Sequence, residues 1–240
     1  MPARHVSQHR RTLLGAGAAA LLAGCTMLPV IGSGPAAPAP TYEVGDRWVY
    51  RARDGFMRPV VWEETREIVS AGVNGYTVRV TQRGPGVDNV RVEQWSAPGR
   101  VKVGALFDAE TRRFDQDLER YAFPLAPGKT WNQWVRNYND EAKRSGKINR
   151  WAHVGGWRSI ATPAGTFDAI AIEVVMHLDD AEFWRTQTDC AYRVWYAPAV
   201  KAMVREEKEA QYIEKSGRDS PAIRSQSALL ELISFTPGKG

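Results

Sequence analysis

Cysteine and histidine are scarce in this sequence, and that scarcity limits its chemistry. Of 240 residues, two are cysteine (Cys25 and Cys190) and four are histidine, with His5 and His9 both in the first dozen positions. The remaining pair, His153 and His177, have no His, Cys or carboxylate companion at metal-ligand spacing. HExxH, CxxC and EF-hand patterns are missing, so no metal site is expected. No serine stands in a G-x-S-x-G elbow or an S-x-x-K pair, and there is no phosphate-binding loop, so neither a nucleophile nor a cofactor is signalled. The apolar run 13–23, LLGAGAAALLA, is about half the length a bilayer-spanning helix needs.

The first 24 residues also lack any acidic residue, and this resolves the charge. The whole chain counts 32 basic against 27 acidic residues; without 1–24, which carry Arg4, Arg10 and Arg11, the balance is 29 to 27. A nearly balanced chain makes a mixed, solvated surface and carries no nucleic-acid footprint.

A basic stretch followed by a short apolar one has the layout of an export signal over 1–24. Leu22-Ala23-Gly24-Cys25 resembles the lipobox of bacterial lipoproteins. That resemblance implies cleavage between Gly24 and Cys25 and lipid attachment at Cys25. Arg10-Arg11-Thr12-Leu13-Leu14 resembles the twin-arginine export motif but lacks an adjacent Ser and a Phe, so plain Sec export remains open. Thr26 stands where lipoproteins retained in the inner membrane carry Asp, which by resemblance favours the periplasmic face of the outer membrane. Residues 25–41, rich in Pro, Ala and Gly, read as a flexible, lipidated tether. The folded domain is expected over 42–236.

From Tyr42 the texture is that of strands. Val78 and Val80, then Val90 and Val92, alternate with Arg79, Arg91 and Glu93, the period of a sheet with one face buried and one in water. Turn signals at Asp54-Gly55, Asn74-Gly75, Gly84-Pro85-Gly86 and Pro98-Gly99 separate the runs. Ile170, Ile172, Val174 and Met176 line one face of a further strand, and Tyr192, Val194 and Tyr196 line one face of the next. Glu206–Ser216 is read as strand despite its helix-favouring Glu206–Ala210. Residues 108–120, crowded with charge, read as a loop or a helical turn between two halves.

Those halves, 42–107 and 121–210, share landmarks in the same order. Gly45-Asp46-Arg47-Trp48 is answered by Gly128-Lys129-Thr130-Trp131. The turn before Tyr76-Thr77-Val78 is answered by the one before Thr166-Phe167. Trp95-Ser96-Ala97-Pro98 is answered by Trp195-Tyr196-Ala197-Pro198. An internal duplication and a chance recurrence of hairpin-favoured residues both fit.

The expected fold is therefore mainly β, a large curved antiparallel sheet or half-barrel with little helix beyond the signal. With lipid on Cys25 no disulfide can form within the chain, and Cys190 reads as a small buried hydrophobe. Asp179, Asp180 and Glu182 beside His177 read as a solvated hairpin end. All nine tryptophans fall between Trp48 and Trp195. Trp131, Trp134, Trp151, Trp157, Trp184 and Trp195 could be core, or could line an apolar groove for a lipid, a glycan or an envelope partner.

The G-x-x-W openings, the A-G-T-F-D-A-I strand and the W-Y-A-P hairpin, behind an export signal, resemble uncharacterised exported β-sheet proteins of Gram-negative bacteria. Some of these are grouped with the lipoprotein carriers LolA and LolB. The resemblance implies a curved antiparallel sheet and brings no catalytic residues. The expected function is a membrane-anchored, non-enzymatic binding or envelope-assembly module. An accessory lipoprotein without a ligand is the alternative, and an envelope hydrolase would need a carboxylate pair that the sequence does not reveal.

Overall fold

The structure, a computed structural model, describes residues 33–55, 60–107, 110–215 and 222–239. Twelve strands follow one another in chain order. The first six are β1 (Arg47–Asp54), β2 (Val60–Gly72), β3 (Gly75–Gly84), β4 (Val87–Ala97), β5 (Arg100–Gly104) and β6 (Arg112–Glu119). The second six are β7 (Thr130–Asn139), β8 (Arg144–Thr162), β9 (Gly165–Leu178), β10 (Thr188–Ala197), β11 (Ala202–Glu214) and β12 (Ala222–Thr236). Each strand pairs antiparallel with its chain neighbours, and β12 returns to β1. The curved sheet is a closed up-and-down barrel rather than a half-barrel, which leaves no free edge among the described strands.

Helix among the described residues is confined to one 3₁₀ turn, Pro198–Val200. The helix-favouring run Glu206–Ala210 is strand because it is hydrogen-bonded on both sides, to β10 and to β12. The run 108–120 is corrected more sharply. Arg112–Glu119 is strand β6, with Phe114 and Leu118 buried and the outward positions charged. Two apolar residues make too faint an alternation to register as a strand.

This region is nonetheless a seam. Backbone pairing of β6 with β7 covers only Arg112–Phe114 against Asn137–Asn139. Beyond it, side chains bridge the gap. Arg136 N donates to Asp115 Oδ1 at 2.9 Å, Gln133 Nε2 to Asp117 O at 2.9 Å, and Glu119 N to Gln133 Oε1 at 2.8 Å.

The paired landmarks lie six strands apart. Gly45 N bonds Ile68 O and Ile68 N bonds Asp46 O, at 2.8 and 2.9 Å, as β1 begins. Gly128 N bonds Val154 O and Val154 N bonds Lys129 O, both at 2.8 Å, as β7 begins. The Asn74-Gly75 and Ala164-Gly165 turns join β2 to β3 and β8 to β9, and the two Trp-x-Ala-Pro segments end β4 and β10.

One end of the barrel is sealed. Asp46 is fully buried, and its carboxylate accepts from Glu43 N (2.9 Å), Gly238 N (2.9 Å) and Lys201 Nζ (3.0 Å). It thereby ties the start of β1, the β10–β11 turn and the C-terminal segment together. The expected tether is part of this seal from its middle onward. Ala37 is buried and exchanges backbone bonds with Leu125, and Trp157 Nε1 donates to Pro35 O at 2.8 Å.

Side-chain direction agrees with the sequence reading on β3 and β9, where Val78, Val80, Ile170, Ile172, Val174 and Met176 are buried. On β4 it is reversed. Val90 and Val92 are 53% and 49% exposed, while Arg91 and Glu93 point into the barrel. The interior is charged at that level, so the water-facing and inward-facing sides exchange character. The outer wall is charged as well, carrying cross-strand pairs such as Arg79–Glu67, Arg205–Glu231 and Arg193–Glu173. A transmembrane barrel needs an apolar outer band instead.

The two hairpin glycines give a stability test. Gly75 (φ +101°) sits so that a Cβ would overlap the Trp95 carbonyl, whereas at Gly165 (φ +129°) the nearest atom would be Phe167 Cζ at 4.0 Å. Both substitutions by alanine strain the backbone, and only the first also clashes. Gly75→Ala is expected to cost about 3 kcal/mol or more and Gly165→Ala about 1–2 kcal/mol. Urea unfolding of the two variants measures this, and equal losses would contradict the geometry.

Candidate functional site

Eight strands close a barrel that side chains can just fill, and twelve leave a wider lumen. Here alternate residues of the strands reach into that space at three levels. At the sealed end the lumen is packed with rings. Tyr42 meets Trp48, Tyr76 and Trp95 with centroids 5.3–5.8 Å apart, and Phe123 meets Tyr121 and Tyr196. The void left among these rings is about 30 Å³. Burial raises the pKa of Tyr42, Tyr50, Tyr121 and Tyr196 above the ordinary phenol value, so all four stay neutral.

Above the rings lies a belt of charge. Glu64 and Arg66 come from β2, Arg91 and Glu93 from β4, Arg120 from the residue after β6, Arg150 from β8, and Glu206 and Lys208 from β11. Residues two apart on a strand share a face, so β2, β4 and β11 each contribute an acid and a base as neighbours. Arg66 bonds Glu64 at 2.7 Å, and Gln82, opposite Glu64 in the β2–β3 register, donates to it at 2.7 Å. Glu93 accepts from Arg91 at 3.2 Å, Arg120 at 3.2 Å and Trp95 Nε1 at 2.9 Å. Lys208 lies 3.5 Å from Glu206.

Above the belt, a cavity of about 440 Å³ runs toward the other end of the barrel. Asp54, Val60, Trp62, Val87, Phe107 and Gln226 line it where β1, β2, β4, β5 and β12 begin or end. The volume is in the range of small-molecule sites. Trp62, at this level, is the one tryptophan among the described residues lining the cavity. Nothing in its sequence neighbourhood distinguishes it from any other strand residue.

The belt carboxylates are electrostatically fixed. Burial opposes ionisation of Glu64, but Arg66, Arg91 and Lys208 outweigh it and hold the carboxyl well below its usual range. Burial likewise opposes ionisation of Glu93, and Arg120, Arg91 and Arg66 bring it down to about 2. Two buried carboxylates therefore do line one cavity. A general acid at neutral pH needs a raised pKa, and both of these are lowered. Arg150 is the opposite case. Burial lowers its guanidinium to about 10 despite the nearby tyrosines.

The six tryptophans of the expected groove are not brought together. Trp131 is half-buried at the seam and donates to Glu119 O at 3.1 Å, while Trp195 is core. Trp157 packs on the N-terminal segment and donates to Pro35 O. Trp184 stands on the β9–β10 connection against Tyr212, with Arg185 over both rings. Trp184 is 40% exposed there, and Trp134 and Trp151 are exposed on the outer wall, at 63% and 40%. Period-two reasoning could not separate these fates, because β7 and β8 carry aromatics on both faces.

The remaining candidates sit as follows. Cys190 is buried on β10. His177 Nδ1 lies 2.6 Å from Asp189 Oδ1; Asp180 accepts from Arg185 and Thr188, and Glu182 from Arg144. The signal residues Arg10 and Arg11, the cleavage pair Gly24 and Cys25, and the first part of the tether lie outside the described residues.

No protein-family model matches the chain, and no curated protein matches it. Solved structures do. A crystal structure described as a "putative lipoprotein" from Parabacteroides distasonis has a TM-score of 0.51 at 13% identity, covering 85% of this chain and all of that one. A crystal structure described as a "putative exported protein with YmcC-like fold" from Bacteroides fragilis gives 0.48 at 14% identity, covering 84% of this chain and all of that one. The hypothetical lipoprotein YmcC from Escherichia coli gives 0.42 at 10%, covering 80% of this chain and 85% of that one. The first of these shows a shared fold.

The belt makes stability depend on acid. Glu64 and Glu93 have folded pKa values below the ordinary 4.5, so the unfolded chain binds more protons between those limits. Their contribution is complete above about pH 4.5 and is lost as the pH falls toward 2. The urea midpoint is expected to fall steeply in that window. The Glu64→Gln/Glu93→Gln variant should be less stable at pH 7 and have a shallower acid slope. An unchanged slope would contradict the pairing.

Proposed function

We propose that the protein is a lipid-anchored envelope protein of the outer membrane that binds a small molecule in the lumen of its barrel and catalyses no reaction. The observation that carries this reading is the lumen itself, packed with rings at one end and, among the described residues, unfilled toward the other, with about 440 Å³ of space for a ligand. Low carboxylate pKa values at Glu64 and Glu93 argue for a holding role over acid–base chemistry. The lipobox supports the anchor, and the description of the Parabacteroides distasonis structure as a lipoprotein is in keeping with it.

In this reading the sealed end lies nearer the membrane. The N-terminal segment from Ser33 packs on that end, and the eight residues back to Cys25 can span at most about 30 Å. The unfilled part of the lumen then lies away from the anchor. Trp134 and Trp151, exposed together on the outer wall, are the surface offered to an envelope partner.

Two measurements test this. Purification from membranes followed by native mass spectrometry is expected to show a small molecule bound at near one per chain; polypeptide alone would count against the lumen reading. Cys25→Ser is expected to move the protein from the membrane to the soluble fraction. Retention in the membrane with the leader uncleaved would remove the anchor.

A further inference from the structure

The belt has more cations than anions, and the excess is specific in place. Among the described residues lining the lumen at this level, five cations (Arg66, Arg91, Arg120, Arg150 and Lys208) face three carboxylates. Every carboxylate is engaged: Glu64 by Arg66, Glu93 by both Arg91 and Arg120, Glu206 by Lys208. Arg150, 4% exposed, is not among these pairs. Its guanidinium bonds two backbone carbonyls, those of Glu119 (3.0 Å) and Arg120 (2.9 Å), and stacks over Trp131. Among the described residues, no carboxylate forms an ion pair with it.

Donors are in excess as well. The Arg91 side chain is 8% exposed; its Nε holds Glu93, and its Nη1 has no partner. Trp62 Nε1, lining the same cavity, has none either. A buried donor without a partner, or a buried charge without a counter-charge, costs several times what a paired one does. Two such donors and one such charge around one cavity have a common remedy. A cationic ligand would find every belt carboxylate already taken, and Asp54, farther along the same cavity, accepts from Gln226.

We propose that the lumen binds a small molecule bearing an anionic group (carboxylate, phosphate or sulfonate) that accepts from Arg91 Nη1 and Trp62 Nε1 in the field of Arg150. Its uncharged part lies along Leu106, Phe107, Met176 and Val194, the apolar stretch of the same wall. This rests on the lumen reading above and assigns the chemical class of the ligand.

A matched pair of fluorescent probes tests it on the soluble Cys25→Ser chain. 1-Anilinonaphthalene-8-sulfonate and N-phenyl-1-naphthylamine have the same aromatic body, and only the first carries an anion. The sulfonate is expected to bind at least about tenfold more tightly, the worth of a charge-assisted hydrogen bond. That preference should survive 0.5 M salt, which screens exposed charges far more than buried ones. Arg91→Met is expected to bring the two probes within about twofold. Glu93→Gln, which removes a competing carboxylate, should tighten the sulfonate, a gain that damage to the fold cannot imitate. A Trp134→Gln/Trp151→Gln variant should bind as the parent does.

Displacement of the sulfonate by inorganic phosphate would mark a free small anion as the ligand class, and displacement by decanoate alone an anionic amphiphile. Either supports the site, and displacement by neither overturns it. Equal binding of the two probes would overturn the anion site and leave the lumen reading standing. Binding of neither probe, with nothing co-purifying, would remove both.

Discussion

A sheet closed at twelve strands has to fill an interior wider than ordinary core side chains can span, and the rest of this molecule follows from how that is done. At one end, rings fill it. In the middle, arginine, lysine and glutamate line it, most of their heads joined in ion pairs. Buried ion pairs are a poor way to gain stability, because desolvation consumes most of the attraction and apolar residues of equal size usually do as well. A belt built from them suits a lumen that is meant to stay polar. Glu64 and Glu93, held ionised by arginines from several strands, also fix which strands face one another at mid-height.

The barrel's two ends are built unlike each other. Asp46 gathers the chain start, the β10–β11 turn and the C-terminal segment at one end, and Ala37 with Leu125 lays the N-terminal segment over the same region. Lys129, at the matching place just before β7, bonds the carbonyls of Ala122 and Pro124, so the connection across the seam is held there too. These bonds rigidify the end that carries the N-terminal segment. The cavity lies toward the far end, among the described strand termini there. The weakly paired seam between β6 and β7 stands beside that cavity, with Leu118 and Arg120 among its lining residues.

The fold was legible wherever one face of a strand meets an apolar interior. Val78, Val80 and the Ile170–Met176 series read correctly because only burial explains their period. The belt was illegible for the converse reason. On β2, Glu64 and Arg66 alternate with Glu63, Thr65 and Glu67, so both faces are polar and no alternation remains to read. On β4 the pattern was present and pointed the wrong way. β6 failed through dilution, with Phe114 and Leu118 as its whole apolar content. The tryptophans misled because large aromatics serve equally as sealed-end packing, seam filler and surface, and their partners come from strands distant in sequence.

Where local pattern and global structure disagree, a functional reason is the usual one. The disagreement on β4 exposes Val90 and Val92 to water in order to bring Arg91 and Glu93 inside. Turning the strand by one residue would bury the valines and solvate the charges, so the observed register is unfavourable by local hydrophobicity alone. It is held by what the inward pair meets. Glu93 finds Arg120 and the Trp95 indole, and Arg91 stands across from Val80 with one nitrogen engaged and another unpartnered. The idle nitrogen belongs to a residue lining a cavity whose belt carries five cations and three carboxylates, and it is the donor that the proposed anion would satisfy.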